Sequence, residues 1–386
     1  MIGMPELTTL CYLVKNGKAL MLHRVVKKND VNKDKWIGVG GHFENGESPE
    51  DCARREIFEE TGLKAERMTL NGVVTFDSAK QDHTEYMFLY TVTEWSGTAH
   101  ECDEGVLEWT DFGAIRNMNL WEGDRIFLKL LEEKRPFFSL KLVYDMQDVL
   151  KRAVLDGQPM ELFDILGPDG SPAGFTRERS IAHEMGSLHG TVHIWIAKKE
   201  SENLSGKDQS RSAAENNCSP VNGAENSRVK SDKTAEKDAN SHWELLLQKR
   251  AADKDSYPGC YDISSAGHMK AGDGIEETLL REFHEEMGTS ASPDDFIYVG
   301  DHLSYHESVF YGGPFRDYEL SHIFVYKLSD RIDAGKLNLQ KEEIERVDWI
   351  RFDELERRMQ DGTIKTCIDP DELSILKRFL EKLLIS

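Results

Sequence analysis

GHFENGESPEDCARREIFEETGL, residues 41–63, is the stretch that decides the reading of this chain. Gly41 is followed by five residues and Glu47, then by seven residues and Arg55-Glu56-Ile57-x-Glu59-Glu60-x-Gly62-Leu63. A helix over 48–61 puts Glu56, Glu59 and Glu60, at i, i+3 and i+4, on one face. Three carboxylates that close repel one another unless something positive is shared among them. Hard oxygen donors of this kind suit Mg²⁺, with Mn²⁺ as the other candidate, and waters and substrate phosphates complete the shell. Such an ion polarises a diphosphate bridge and lowers the pKa of the attacking water. Gly40 and Gly41 allow close backbone approach, and the Gly41 carbonyl is a candidate further ligand. Arg55 and Glu47 are expected to tie the loop to the helix, Gly62 to cap it, and Ala53 and Ile57 to face a sheet. A solvated helix laced with i,i+4 ion pairs is the competing reading. It explains the charge but not the glycine spacing, and it favours alternating signs over three acids on one face.

The pattern recurs. GHMKAGDGIEETLLREFHEEMGT, residues 267–289, places Glu282, Glu285 and Glu286 after Arg281 in the same way. Asp273 stands where the first copy has Glu47, and Thr289 where it has Leu63. All three metal-type carboxylates are present, so this copy is expected to bind metal too; the alternative is a degenerate copy kept as a scaffold. Around both stretches the order of elements repeats. TTLCYLVKNGKALMLHR (8–24) reads as strand, turn, strand, and TVHIWIAK (191–198) with HWELLLQKR (242–250) reads as the same pair. GVVTFD and TEYMFLYTVTEW follow in the first half, FIYVGDHL and YELSHIFVYKL in the second. Each half closes on a helix, near 123–134 and 370–384. Two copies of one α/β module account for 386 residues, too many for one ordinary domain.

Between the second pair of strands lies 199–241, rich in Ser, Asn, Lys, Glu and Ala and poor in large apolar residues. It cannot bury enough surface to offset ordering its backbone and is expected to be disordered. It reads as an insertion in a hairpin turn, tolerated because loop-closure entropy grows slowly with length, and not as the interdomain linker. The expected boundary lies near 146–158, after FFSLKLVYD (137–145), giving domains of 1–150 and 155–386.

The balance of 48 Lys and Arg against 70 Asp and Glu gives a net charge of −22. Such a surface repels nucleic-acid polymers and anionic membranes, but admits a small polyphosphate that travels with a divalent cation. No apolar run approaches a membrane span, and MIGMPELTTLCYLVKNGK lacks a basic segment followed by an apolar one, so no signal peptide is expected. Six cysteines with no CxxC pair argue against a zinc ribbon or a disulfide framework and for a reduced, cytoplasmic protein. The sequence leaves the oligomeric state open.

Residues 41–63 resemble the Nudix box at every defining position. Chance agreement at seven fixed positions of about 7% usage is on the order of one window in 10⁸, so the resemblance is specific. It implies two α/β/α sandwich domains with mixed sheets and a Mg²⁺-dependent diphosphohydrolase. Through TTLCYLVKNGKALMLHR, KKNDVNKDKWIGVGGHFE and FFSLKLVYD, the first half is similar to MutT-type 8-oxo-dGTP diphosphatases. That implies hydrolysis of an oxidised purine nucleoside triphosphate to monophosphate and pyrophosphate. In LWEGDR (120–125), Trp121 and Asp124 become candidates for stacking on the base and reading its edge, with Trp36 beside them in the candidate substrate site. Trp121 also reads as a core residue anchoring the last helix. Glu104, in ECDE (101–104), is a candidate carboxylate for the metal site, with a surface turn as its alternative. Glu56 and Glu104 both remain candidates for general base.

The second half, through ELFDILGPDGSPAGFTRERSIAHEMGSLHGTVHIWI and LLLQKRAADKDSYPGCYDISSAGH, resembles Nudix hydrolases related to isopentenyl diphosphate isomerase. That resemblance implies a second metal set of His183, His189, His268, Asp317 and Glu319. The isomerase needs a cysteine before the glycine-histidine pair, and Ala266 stands there. The expectation is therefore a second diphosphate hydrolase of unknown substrate. Its alternatives are an isomerase-like enzyme and a catalytically silent module that senses a nucleotide or binds a partner.

Overall fold

The computed structural model describes residues 3–26, 30–199, 243–254, 256–310 and 313–385. The expected disordered insertion at 199–241 lies, apart from Lys199, outside the described residues.

The chain begins with β1 (Glu6–Lys15), β2 (Lys18–His23), β3 (Trp36–Ile37), α1 (Pro49–Thr61), β4 (Leu63–Ser78), β5 (Thr84–Gly97), β6 (Val106–Asp111), α2 (Phe112–Ile115), α3 (Glu122–Glu132) and β7 (Phe138–Tyr144). It continues through β8 (Leu150–Leu155), β9 (Gln158–Pro159), β10 (Leu162–Leu166), β11 (Pro172–Glu178), α4 (Arg179–Met185) and β12 (His189–Lys199). The remainder is β13 (Trp243–Arg250), β14 (Tyr261–Asp262), β15 (Ser265–His268), α5 (Ile275–Met287), β16 (Phe296–Phe310), β17 (Gly313–Tyr326), β18 (Ile344–Arg351), α6 (Phe352–Gln360) and α7 (Pro370–Ile385).

The first sheet runs β3-β2-β1-β5-β4-β7-β8-β9, with β6 on β2. β1 lies parallel to β5 and β4 parallel to β7, while the other registered neighbours are antiparallel, so the sheet is mixed. β1 carries Cys11, Tyr12 and Leu13 fully buried in succession, as a central strand covered on both faces must. Ala53 and Ile57 of α1 pack with Cys11, Leu13 and Val92 on one side; α3 delivers Phe127 and Leu131 to a second cluster with Tyr12 and Leu140. Each fully buried Leu, Ile, Val or Phe among them contributes about 1.5–3 kcal/mol of transfer free energy.

Residues 146–158, read as a boundary, hold β8, which continues the sheet antiparallel to β7. By contact density the chain divides into two units. One is Met1–Val192 with Gly267–Leu279 and Asp301–His322; the other is His193–Ala266 with Leu280–Gly300 and Ile323–Ser386. Within the second unit β12 and β13 pair antiparallel, with Ala197 opposite Leu245 and Lys199 opposite Trp243. These are the two strands flanking 200–242. β13 also pairs with β14 and, from Glu244 to Arg250, with β18. Its core gathers Trp195, Leu245, Ile323, Phe352, Leu376 and Leu380.

Candidate functional site

The segment before α1 lies along β1. Thr9 N–H donates to the Gly41 carbonyl (2.9 Å), and Cys11 and Val39 exchange both main-chain bonds. At Gly40, with φ at 153°, a Cβ would fall 2.1 Å from the Thr9 carbonyl oxygen, so only glycine fits this pairing. At Gly41 a Cβ would fall within 2.7 Å of both Glu56 carboxylate oxygens, so that carboxylate rests directly against the glycine main chain.

α1 starts at a capping box. Ser48 Oγ accepts from Asp51 N–H, and Asp51 reaches back to Ser48 N–H. It ends at Gly62, left-handed at φ 75°, whose N–H donates to the Phe58 carbonyl. On the face toward the loop, Arg55 grips Glu47 with two bonds (2.7 and 2.9 Å), and also contacts Glu56 Oε1 (2.6 Å), Glu59 Oε2 (3.2 Å) and the His42 carbonyl (2.9 Å). The Arg55 guanidinium holds the Glu47 carboxyl down at about 2. Arg55 thus orients the loop and two of the three box carboxylates at once.

Glu60 points the other way, into the protein. It is 7% exposed, and its Oε2 accepts from Gly40 N–H (2.8 Å). Burial pushes its pKa up to about 8, and Glu104 and Glu56 add to the rise. Arg24, just after the buried strand β2, inserts Nη1 between Glu104, a direct hydrogen bond, and Glu60 Oε1 (3.8 Å). Its Nε bonds Asp30 Oδ2 (2.8 Å). Glu56, Glu60 and Glu104 therefore form one group of interacting carboxylates around a glycine backbone, with Arg24 between Glu60 and Glu104 and Arg55 on Glu56. This donor set fits a hard divalent cation. Arg24 and Asp30 were not singled out in the sequence, although the repeat carries the signal: Arg250 closes β13 as Arg24 follows β2.

In the second copy Glu286 is likewise buried, 6% exposed. Its Oε2 accepts from Ala266 N–H (3.1 Å), and burial pushes its pKa up to about 8, with Glu282 adding to the rise. Arg281 bonds Glu282 and lies 3.9 Å from Glu285. Arg250 pairs with Asp262 (3.1 Å).

Trp121 is the extended residue just before α3 and Asp124 lies in the helix's first turn; both are 7% exposed. The Trp121 indole N–H donates to Asn32 Oδ1 (2.8 Å), and its ring meets Phe76 and Tyr144 edge-on. Lys35 Nζ sits 4.6 Å from the Trp121 ring centroid. Burial pushes the Asp124 carboxyl up to about 7, while Lys35 and Arg125 oppose the rise. Trp36, on β3, stacks instead on His23, with centroids 4.4 Å apart and planes within 9°. Asn32 and Lys35 are further polar groups at this place that sequence reasoning did not name.

His183, His189, His268 and Asp317 each offer a ligand atom within 4.8 Å of the others. Glu319 Oε1 lies 3.3 Å from His268 Nε2 and 3.9 Å from His189 Nε2. Phe163 stacks on both His189 and His268. Both ring nitrogens of His183 and Nε2 of His189 are buried without a hydrogen-bond partner. Burial and the neighbouring histidines push His183 down to about 2 and His189 to about 4, so both rings are neutral at pH 7 and present lone pairs.

The sequence model of the NUDIX domain matches residues 4–131 and again 236–368. An oxidized purine nucleoside triphosphate hydrolase of Danio rerio is 28% identical over 151 residues, 39% of this chain and 94% of that protein. An uncharacterized Nudix hydrolase of Bacillus subtilis is 34% identical over 154 residues, 39% of this chain and 94% of its own length. Nudix hydrolase 3 of Arabidopsis thaliana is 29% identical over 194 residues, half of this chain but only 20% of that longer protein. Among solved structures, a MutT protein from Bacillus halodurans matches 40% of this chain and 99% of its own at 23% identity, with a TM-score of 0.36.

Proposed function

Because the chain belongs to the Nudix family and carries its domain twice, it is a hydrolase of pyrophosphate bonds, and from that premise we propose a division of labour between the copies. The first, over about 1–150, hydrolyses 8-oxo-dGTP or a related oxidised purine nucleoside triphosphate to the monophosphate and pyrophosphate. The second, over about 155–386, is a second diphosphate hydrolase.

The observation that carries the purine reading is the pairing of Trp121 with a buried Asp124 whose pKa lies near 7. An indole stacks on a purine, and a carboxyl that is half protonated at neutral pH both donates to and accepts from the base edge. The Danio rerio relative, an oxidized purine nucleoside triphosphate hydrolase, supports the same substrate class. Water adds across the α–β anhydride: a bond forms from its oxygen to phosphorus, the bridging P–O bond breaks, and pyrophosphate leaves. Glu56, Glu59 and Glu60, with Glu104 and the Gly41 carbonyl, would hold Mg²⁺ or Mn²⁺, which supplies charge to polarise the anhydride and acidify the water. Arg55 fixes Glu47 and Glu56, the glycine main chain sets the depth of the carboxylates, and Glu56 or Glu104 takes the proton of the water.

The test is turnover of 8-oxo-dGTP against dGTP with Mg²⁺ in wild type, Glu60→Gln and Glu286→Gln. Faster pyrophosphate release from the oxidised nucleotide, lost only in Glu60→Gln, is the expected result. Equal rates on both nucleotides, or a fully active Glu60→Gln, overturn the assignment.

A second reading concerns the histidines. The nitrogens of His183 and His189, buried without a hydrogen bond and facing the Asp317 and Glu319 carboxylates, favour a further divalent-ion site on His183, His189, His268, Asp317 and Glu319. Thermal stabilisation by Mn²⁺ that survives Glu60→Gln and Glu286→Gln but not His189→Ala is its signature.

A further inference from the structure

A groove of about 420 Å³, lined by none of the residues assigned above although Lys270 follows His268 by two positions, lies between β8, the entry to β10 and residues 270–271. Its walls carry Lys151, Arg152 and Lys270, and its apolar floor includes Met160 and Leu162. None of the three cations forms an ion pair among the described residues. The one acid in the lining, Glu161, is taken up by Arg179 (2.8 Å). Burial pushes Glu161 up, but Arg179, His268 and Lys270 outweigh it and keep its pKa low. Lys270 still acts at a distance on Glu161 and Lys151 on Asp145, but in a chain of net charge −22 a concave patch with three cations and no ion pair among them is an exception that needs a reason.

The backbone builds the patch. Along a regular strand, neighbouring side chains point to opposite faces. On β8, Tyr144 faces Leu150 and Val143 faces Arg152, which leaves Lys151 as the extra residue of a bulge. Leu150 and Ala153 are buried, and the two residues between them are both exposed. The bulge thus turns two consecutive cations onto one side, where regular alternation would send one inward. The third cation arrives from the other wall. Phe163 bridges Lys270, and Ala271 N–H donates to the Leu162 carbonyl (2.7 Å).

We propose that this groove is a metal-independent phosphate-binding site, taking the phosphate of a free pyrophosphate ion or of a nucleoside monophosphate. Three cationic donors match the oxygens of a phosphate group. The site is distinct in chemistry from the carboxylate clusters, which repel a bare phosphate unless a divalent cation is shared with it. The proposal rests on neither hydrolase assignment.

The experiment is calorimetric titration of the full chain in EDTA, first with inorganic pyrophosphate. Chelation silences the carboxylate sites and leaves the groove. Saturable binding is expected, retained in Glu60→Gln and Glu286→Gln. It should weaken about tenfold or more, about 1.4 kcal/mol, in Arg152→Ala/Lys270→Ala, because two charge-assisted bonds to the anion are lost. Lys151→Ala, an exposed position, gives a second, milder variant, and thermal melts establish that each variant is folded. Inorganic phosphate and GMP form the second arm. Tighter binding of GMP than of phosphate assigns the groove to a nucleotide lying on Met160 and Leu162; equal binding assigns it to the free anion. No saturable binding in EDTA, or binding that the groove variants leave unchanged, overturns the proposal.

Discussion

Gly40 N–H donates to Glu60 Oε2 across 2.8 Å, which fixes a buried carboxylate to the loop that lies in front of it. The same bond recurs between Ala266 and Glu286 at 3.1 Å. In both copies the last glutamate of the box is buried and its pKa is raised from 4.5 to about 8. The folded chain without a divalent ion therefore keeps two protons between pH 4.5 and 8 that the unfolded chain has lost. Its stability is greatest below pH 4.5 on this account and declines as pH rises through 8. A divalent cation needs the carboxylates ionised, so its binding must expel these protons. Mg²⁺ affinity is expected to rise from pH 6 to pH 8, with proton release measurable by calorimetry in two buffers of different ionisation enthalpy. Glu60→Gln should remove the first copy's share of that release. An affinity independent of pH in wild type would contradict this account.

Gly40 is the position least tolerant of change. Its Cβ would strike the Thr9 carbonyl at 2.1 Å, and a side chain at φ 153° is strained in any surroundings. Gly40→Ala is expected to cost about 1–3 kcal/mol of stability and to displace the N–H that holds Glu60. The readouts are a urea midpoint and turnover of the first-copy substrate. Both should fall, whereas Gly46→Ala, where a Cβ meets nothing within 4 Å, should spare turnover.

Arg55→Lys keeps the charge and loses the fork that grips Glu47 while touching Glu56 and Glu59. A point charge cannot orient three carboxylates at once. kcat is expected to fall about tenfold or more with KM little changed, because the change misplaces catalytic groups rather than substrate. A KM effect with kcat intact would instead assign Arg55 to substrate binding.

Asp124 predicts a pH profile. Its carboxyl, raised to about 7 by burial, is protonated below that pH and donates to a purine edge; above it only accepts. If the oxidised base takes that proton, kcat/KM for 8-oxo-dGTP declines as pH rises through 7, and the decline disappears in Asp124→Asn. Trp121→Ala removes a ring packed against Phe76 and Tyr144, so it should lose stability as well as affinity, about 3–5 kcal/mol by analogy with buried aromatic truncations.

What was legible in the sequence was local. The box spacing led to α1, with Ala53 and Ile57 inward and Gly62 as its left-handed end. The alternation in TVHIWIAK and HWELLLQKR led to β12 and β13, whose register closes around the long insertion. β8 was not legible, because its bulge breaks the period of two and shows two polar residues in a row. β9, with two residues, and α4, with seven, are too short to carry a period. Arg24 and Lys35 escaped for another reason. Their partners Glu104 and Trp121 are about eighty residues away, and a contact of that range leaves no mark in local pattern.

The histidines give the reverse pH sign. His183 and His189 are pushed down to about 2 and 4 by burial and by one another, below the 6.5 of an exposed ring. In the unfolded chain both rings gain a proton as pH falls past 6.5, and in the folded chain they do not. Stability from these residues is complete above pH 6.5 and is lost progressively toward pH 4. A divalent ion on the neutral nitrogens should widen the gap, since protons and metal compete for the same lone pairs. The check is a thermal melt at pH 7.5 and pH 5.5, with and without Mn²⁺, in the Glu60→Gln/Glu286→Gln background. The expected pattern is a Tm gain at pH 7.5 that shrinks at pH 5.5 and vanishes in His189→Ala. His189→Ala also loses packing, because Phe163 stacks on that ring, so a second variant separates the two effects. Asp317→Asn, which keeps the shape and removes a charge from the set, should also abolish most of the Mn²⁺ gain while leaving the metal-free Tm nearer wild type. A full Mn²⁺ gain in Asp317→Asn and in His189→Ala would place the stabilising ion elsewhere.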